Sequence, residues 1–170
     1  AVDFALVYAP AEDDSLHVHV DTLQPLDLIT PPDHPLAQST SPVSMAALRN
    51  ESLALIHNST GMGQLAVIVA QLEHLQLRPK LRTNSVAVLV NFVKSGIGVA
   101  FMPELTVSDE LQSGSIRRCT LANRALRDAR ARIVSHKGRE LTVASQACLE
   151  HLRDGMRFFN DHAPSIRDRK

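Results

Sequence analysis

Short apolar runs alternate with segments of helical periodicity in the middle of the chain, and this alternation limits the fold more than any other feature. The runs LALIH and IGVAFMP predict buried strands, and apolar residues spaced at i, i+3 and i+4 between them predict amphipathic helices. The predicted order is strand, helix, strand, helix, strand, over residues 53–57, 63–77, 80–85, 86–96 and 97–103. Strands joined through helices need crossover connections within one sheet. The sequence therefore predicts an α/β fold with a parallel or mixed sheet flanked by helices.

The flanking regions add strands and two more helices. The segment LHVHVD alternates strictly, with Leu16, Val18 and Val20 expected on one strand face. Strands are predicted over 2–8, 16–30 (interrupted at Pro25), 115–123 and 130–138, a short helix over 43–49 and a last helix over 140–159. The last helix is expected to carry one apolar stripe of Leu141, Ala144, Ala147, Cys148, Leu152 and Met156.

Composition excludes several classes of protein. With 170 residues, 44% hydrophobic and 21% charged, the chain is typical of a folded globular protein. It contains no apolar run near the roughly 20 residues of a membrane helix, so no membrane partner is expected. The first residues lack Met and a basic leader and read as a strand, which indicates a fragment of a longer protein. Cys119 and Cys148 have no metal or redox spacing, which favours a reducing, cytoplasmic location.

Charge is distributed unevenly although the net charge is zero. Residues 1–114 carry a net charge of −7 and residues 115–170 a net charge of +7. A solvated surface is the favoured interpretation of the basic part, and an acidic partner or phosphate is the alternative.

Four stretches, taken in order, resemble one family. The similarity is to LysR-type transcriptional regulators. It is carried by the strand VDFALVY, the segment LDLITPPDHPLA (26–37), the helix, glycine pair and proline in NSVAVLVNFVKSGIGVAFMPEL (84–105), and RIVSHKGRELTVASQACLEHLRDGM (132–156). Each motif alone is weak, whereas the ordered set, over residues 2–158, is specific for the effector-binding domain.

The resemblance implies a periplasmic-binding-protein-like (type 2) fold in which one lobe is incomplete. Its expected parts are a first-lobe remnant with the hinge (residues 1–15), the second lobe (16–136), a helix returning to the first lobe (137–160) and a tail (161–170). It further implies a small-molecule effector, a homodimer or higher oligomer, no enzymatic activity and no cofactor. DNA would be contacted only through a winged helix-turn-helix domain that this chain does not contain.

Residues Asn58, Ser59, Thr60 and Gly61 form the leading candidate for a binding site. They follow a predicted strand and begin a helix, where backbone N–H groups and the helix dipole favour a carboxylate or another anion. The alternative is plain N-capping of that helix without a ligand. The resemblance favours effector binding at this turn.

Two further positions are candidates for effector contacts. Asn84 and Ser85 occupy the same strand-to-helix position one unit later, again with capping as the alternative. Tyr8 ends a strand at the expected hinge. Its phenol can face the inter-lobe cleft, in which the resemblance implies effector binding, or lie at the edge of the core.

Other motifs carry no chemistry in this interpretation. His17 and His19 share a strand face without a third ligand nearby in sequence, so an exposed strand face is favoured and no metal is expected. Gly96-Ile97-Gly98 ends a helix and is interpreted as a helix stop with close packing. The acidic turn 12–14 is interpreted as hydrated. No catalytic constellation is present in the sequence. The alternative to a sensor domain is therefore a solute-binding protein, and an α/β enzyme has less support.

Overall fold

Residues 2–155 of the 170 are described by the structure, a computed structural model. The strands are β1 (Ala5–Tyr8), β2 (Leu16–Leu23), β3 (Asp27–Thr30), β4 (Leu53–Ile56), β5 (Leu81–Thr83), β6 (Val99–Met102), β7 (Arg117–Cys119) and β8 (Arg130–His136). The α-helices are α1 (Gly61–Leu72), α2 (Val86–Lys94), α3 (Ser108–Gln112), α4 (Arg124–Arg127) and α5 (Val143–Gly155), and 3-10 helices cover Pro35–Gln38, Met45–Asn50 and Glu104–Val107. Within the described range, no helix combines the length and the apolar composition needed to cross a membrane.

The chain divides into two units that are each internally connected. Among the described residues, unit 1 consists of residues 2–23 and 130–155, and unit 2 of residues 24–129. The sequence-based division placed residues 16–136 together. The structure instead groups β2 and β8 with β1, because β8 pairs with both of the other strands along its length. The units therefore meet in sequence at Leu23/Gln24 and Ala129/Arg130.

Unit 2 is built on a five-stranded mixed sheet in the order β5-β4-β6-β3-β7. β4 is parallel to both β5 and β6, and β3 is antiparallel to both β6 and β7. The connections from β4 to β5 and from β5 to β6 pass through α1 and α2, as crossover connections between parallel strands require. The predicted α/β fold with a mixed sheet flanked by helices is confirmed.

The three central strands of unit 2 are buried on both faces. Every residue of β3, β4 and β6 is buried. One face joins a cluster with α2 that includes Ile29, Ala54, Ala100, Met102, Leu89 and Val93. Since successive strand residues point to opposite faces, Leu28, Leu53, Leu55 and Phe101 fill the other side. Burial on both faces explains why these strands read in sequence as continuous apolar runs.

Unit 1 is built on a three-stranded antiparallel sheet with β8 in the middle. Ile133 of β8 and Leu149 of α5 form its buried centre, and the half-buried residues packed against them are Phe4, Val20, Leu141 and Leu152. In the predicted apolar stripe of α5, Ala144, Ala147 and Cys148 are exposed, whereas Leu149, which the predicted stripe did not include, is buried. The helix begins only at Val143, so Leu141 lies before it and does not set the phase of the buried face. Met156 lies outside the described residues.

A β-bulge at His19 changes the predicted alternation of β2. Val18 pairs with Val134 and Val20 pairs with Ile133, so His19 is the extra residue. Past the bulge the strand faces exchange. Val18 is therefore 44% exposed, contrary to the prediction, whereas Val20 packs against the core of unit 1.

The C-terminus of α1 forms a Schellman motif whose left-handed residue is His74. The N–H of Leu75 donates to the carbonyl of Ala70 (2.8 Å), and the N–H of His74 donates to the carbonyl of Gln71 (3.0 Å). His74 has φ 53°, a conformation that costs an ordinary residue roughly 1–2 kcal/mol and costs glycine little.

We expect His74→Gly to raise the free energy of unfolding by up to about 1 kcal/mol, because it removes this strain. Urea denaturation followed by circular dichroism measures the change. His74→Val is the matched control and is expected to lower the midpoint, since a β-branched residue tolerates positive φ poorly. A midpoint for His74→Gly at or below that of the unmodified chain would contradict the prediction.

Candidate functional site

The two strand-to-helix turns singled out by the sequence lie side by side at one edge of the unit 2 sheet. β4 and β5 are parallel neighbours with Ile56 opposite Thr83, and the N–H of His57 donates to the carbonyl of Thr83 (2.9 Å). The turns after both strands therefore open at the same edge, where α1 and α2 begin. In open α/β sheets, ligands bind beyond the carboxyl ends of the strands, which is where these turns lie.

Thr60 caps the first turn. Its Oγ1 accepts a hydrogen bond from the N–H of Gly63 (3.1 Å) and donates to the carbonyl of His57 (2.9 Å). Ser59 is held by His57, whose Nδ1 lies 3.0 Å from the Ser59 Oγ and accepts the Ser59 N–H at 3.2 Å. Because a backbone N–H only donates, Nδ1 carries a lone pair, and the proton of the neutral ring is on Nε2. His57 thus shapes the turn, a role that the sequence prediction missed although the residue directly follows the strand.

Several polar groups of the first turn have no protein partner among the described residues. Asn58 is exposed, and no residue among 2–155 forms a hydrogen bond with its side chain. The backbone N–H groups of Gly61 and Met62, in the first turn of α1, likewise meet no acceptor within this range. Such N–H groups at the positive end of a helix dipole form a favourable environment for a negatively charged group.

The second turn repeats the arrangement in simpler form. The Ser85 Oγ accepts the N–H of Val88 (3.4 Å) and so caps α2, while the N–H of Ser85 donates to the Thr83 Oγ1 (3.1 Å). Asn84 is exposed and has no hydrogen-bond partner among the described residues. Thr60 and Ser85 thus cap their helices. A cap uses one N–H of each helix and leaves the first N–H groups available to a ligand.

Tyr8 belongs to unit 1, whereas the other candidate residues belong to unit 2. It is the last residue of β1, is half-buried and is paired with Ala131 of β8. The next residue, Ala9, adopts φ 45°, and its N–H donates to the carbonyl of Arg130 (2.8 Å). A contact of Tyr8 with an effector stays a prediction.

The remaining motifs have structural explanations. The rings of His17 and His19 are 4.5 Å apart, and the His19 Nε2 lies 2.7 Å from the Ser135 Oγ. Burial, with the charges of His17 and Arg153, lowers the pKa of His19. Between residues 2 and 155, no group of three or more His, Cys, Asp or Glu is arranged to hold a metal ion.

The glycine pair is a helix stop with close packing, as predicted. Gly96 follows α2 with φ 70°, and a Cβ on Gly98 would lie 1.9 Å from the carbonyl oxygen of Ser52. In the acidic turn, hydrogen bonds from the hydroxyl and N–H of Ser15 lower the pKa of Asp13.

Comparisons with known proteins show the family to which this chain belongs. The family model of the LysR substrate binding domain matches residues 1–157. A Bacillus subtilis protein, the uncharacterized HTH-type transcriptional regulator YwqM, is 27% identical over 106 residues, which are 62% of this chain and 35% of that protein. The chain therefore spans about a third of the length of this curated relative.

Solved structures with the same fold include ligand complexes. The regulatory domain of Synechocystis PCC6803 CcmR, solved in complex with 2-PG, has a TM-score of 0.73 at 22% identity, covering 88% of this chain and 71% of that one. The effector binding domain of QuiR, solved in complex with shikimate, has a TM-score of 0.72 at 18% identity, covering 95% and 74%. These likenesses establish the fold, and the family match does not favour the solute-binding alternative. The chain belongs to the LysR substrate-binding domain family.

Proposed function

We propose that this chain is the ligand-sensing domain of a LysR-type transcriptional regulator and that its effector binds at the β4–β5 edge of unit 2. One observation carries the proposal. At that edge two helices begin next to each other, and the side chains of Asn58 and Asn84 and the N–H groups of Gly61 and Met62 have no partners among the described residues. Two relatives with this fold were solved with small molecules bound, one with 2-PG and one with shikimate.

A small anion, such as a carboxylate, is the ligand class that this edge favours. Hydrogen bonds from neutral amides and hydroxyls to a charged acceptor are stronger than those between neutral groups. The edge offers donors of both kinds, and the dipoles of α1 and α2 both place their positive ends there. Tyr8 is retained as a proposed additional contact.

The effector acts in this proposal by shifting populations and takes part in no catalysed reaction. A ligand changes the balance of two arrangements only by binding one of them more tightly, and coupling energies of about 1–3 kcal/mol are typical. DNA contact belongs to a helix-turn-helix domain outside this chain. A homodimer or higher oligomer and a cytoplasmic location are part of the same proposal, since the regulator acts on DNA.

The proposal is tested by a thermal-shift screen of small organic acids, including 2-PG and shikimate, against this chain. A ligand that binds only the folded state raises Tm, because it stabilises that state by about 2.7 kcal/mol at a ligand concentration of a hundred times Kd. We expect Asn58→Ala and Asn84→Ala to reduce the ligand-induced shift while leaving Tm without ligand nearly unchanged, because neither side chain has a partner among the described residues.

Asn91→Ala is the matched control, since Asn91 is also exposed but lies in the last turns of α2. It should keep the full ligand-induced shift. If a ligand that raises Tm does so equally in all three variants, its site is elsewhere, and the placement at the β4–β5 edge is wrong.

A further inference from the structure

Asp27 places a carboxyl group inside the unit 2 sheet. It is the first residue of β3, its side chain is only 3% exposed, and its Cα partner is Met102. The Asp27 Oδ2 is buried and has no hydrogen-bond partner among the described residues. Burying an ionised carboxylate without hydrogen bonds is costly, so the charged form of Asp27 is poorly accommodated here.

The nearest cation is shared with a second carboxylate. The Arg118 Nη1 lies 3.7 Å from the Asp27 Oδ2, too far for a hydrogen bond, whereas it forms a direct ion pair and hydrogen bond with the Glu104 Oε2. Arg118 and Glu104 are both more than 40% exposed, so their pair is at the surface and the Asp27 carboxyl lies beneath it. One guanidinium thus faces two carboxylates and satisfies the outer one.

The thiol of Cys119 is a further titratable group affected by the charge of Asp27. Cys119, the neighbour of Arg118 on β7, is buried, with its Sγ 3.4 Å from the carbonyl of Leu36 and 3.9 Å from the Thr30 Oγ1. Burial raises the pKa of Cys119, and the charge of Asp27 adds to that increase. Groups on two neighbouring segments of unit 2 therefore interact electrostatically with the Asp27 carboxyl, namely Arg118 and Cys119 on β7 and Glu104 after β6.

We propose that Asp27 is a proton switch, whose protonation removes a buried charge, leaves Arg118 to Glu104 alone and so stabilises unit 2. The neutral carboxyl removes the buried charge and the competition for the guanidinium. Arg118 also borders a groove of about 250 Å³ between β7 and residues 39–42, so the switch reaches the surface there. This site is independent of the proposed effector site.

The direction of the pH dependence follows from the group's environment. Burial raises the pKa of Asp27 from 3.8 to about 6, while Arg118 lowers it and Glu104 raises it. A carboxyl whose pKa is higher in the folded state binds a proton on folding. Compared with a carboxylate that is always charged, Asp27 therefore stabilises the folded state. This stabilisation is fully present below the unfolded-state pKa near 4 and is lost as the pH rises through about 6.

Asp27→Asn tests the proposal because asparagine imitates the neutral carboxyl at every pH. Urea denaturation gives the folding equilibrium constant of this chain and of the variant between about pH 4.5 and pH 8. The ratio of the variant's constant to that of the unmodified chain should rise at least about tenfold over this range, since one pKa unit corresponds to a tenfold change. Asp33→Asn, an exposed aspartate of the same unit, is the matched control and should give a flat ratio.

A second variant separates the switch from a merely structural role of Asp27. Glu104→Gln frees Arg118 for Asp27 and removes a negative charge, so it should lower the midpoint at which Asp27 titrates. The titration is read directly from the carboxyl carbon of Asp27 by NMR, which needs no unfolding. Parallel pH profiles of the unmodified chain and Asp27→Asn, or a midpoint below about pH 4.5 in the unmodified chain, would overturn the proposal.

Discussion

Gly98→Ala is expected to lower the free energy of unfolding by about 3 kcal/mol or more, the upper range for overpacking a tight site. A Cβ on Gly98 would lie 1.9 Å from the carbonyl oxygen of Ser52 and 2.6 Å from its Cβ. Ser52 cannot move aside easily, because its carbonyl accepts the N–H of Val99 at 2.8 Å, next to the pairing of Val99 with Leu53. The added methyl group therefore forces β6 away from β4 in the centre of the unit 2 sheet.

Gly96→Ala provides the control for Gly98→Ala within the same tripeptide. A Cβ on Gly96 meets nothing within 4 Å, and the only cost is its φ of 70°. That conformation costs alanine roughly 1–2 kcal/mol. Urea denaturation followed by circular dichroism compares the two variants. If Gly98→Ala destabilises the protein no more than Gly96→Ala does, the close approach of Gly98 to Ser52 is not a constraint.

Gly63→Ala is expected to lower the free energy of unfolding by about 2 kcal/mol and to impair ligand binding at the β4–β5 edge. A Cβ on Gly63 would lie 2.4 Å from the carbonyl oxygen of His57 and 2.8 Å from that of Ile56. The His57 carbonyl is held in place by the N–H (3.1 Å) and the hydroxyl (2.9 Å) of Thr60. The first turn of α1 must therefore move off the end of β4, and this outweighs the roughly 1 kcal/mol that alanine gains over glycine in a helix.

Gln64→Ala is the neighbouring control for Gly63→Ala, since Gln64 is exposed in the same helical turn. It should change the free energy of unfolding by no more than about 0.5 kcal/mol and leave any ligand-induced Tm shift intact. Chemical denaturation and thermal shift with a ligand from the screen measure both effects. An increase in stability for Gly63→Ala would show that helix propensity dominates and that the His57 carbonyl can move.

Local pattern was sufficient for the central part of the molecule. LALI and VAFM were predicted as buried strands and are buried at every residue, because both faces of the sheet are covered and no alternation is needed. The turns that contain the capping residues Thr60 and Ser85 were also predicted, since a cap depends on hydrogen bonds within three residues. In the candidate site the sequence predicted the turns but not the contribution of His57. The hydrogen bond between its ring and the Ser59 hydroxyl depends on the orientation of the ring, which the sequence does not show.

Pairs that are distant in sequence could not be predicted. Nothing near Asp27 indicates that Arg118 and Glu104 face it, and nothing near Gly98 identifies the carbonyl of Ser52 as its neighbour. The bulge at His19 is likewise imposed by pairing with β8 at the other end of the chain. Such contacts depend on register and long-range packing, which periodicity does not encode.

The sequence by itself determined the α/β class, the strand and helix order and the turns at which a ligand is proposed to bind, because these depend on short-range periodicity and on hydrogen bonds within a few residues. The family was indicated separately, by the resemblance of four ordered stretches of the sequence. The tertiary structure alone decided the division into two units, the buried face of α5 and the sharing of Arg118 between two carboxylates. Those features depend on which distant segments pack together, and packing acts between side chains that only the folded chain brings into contact.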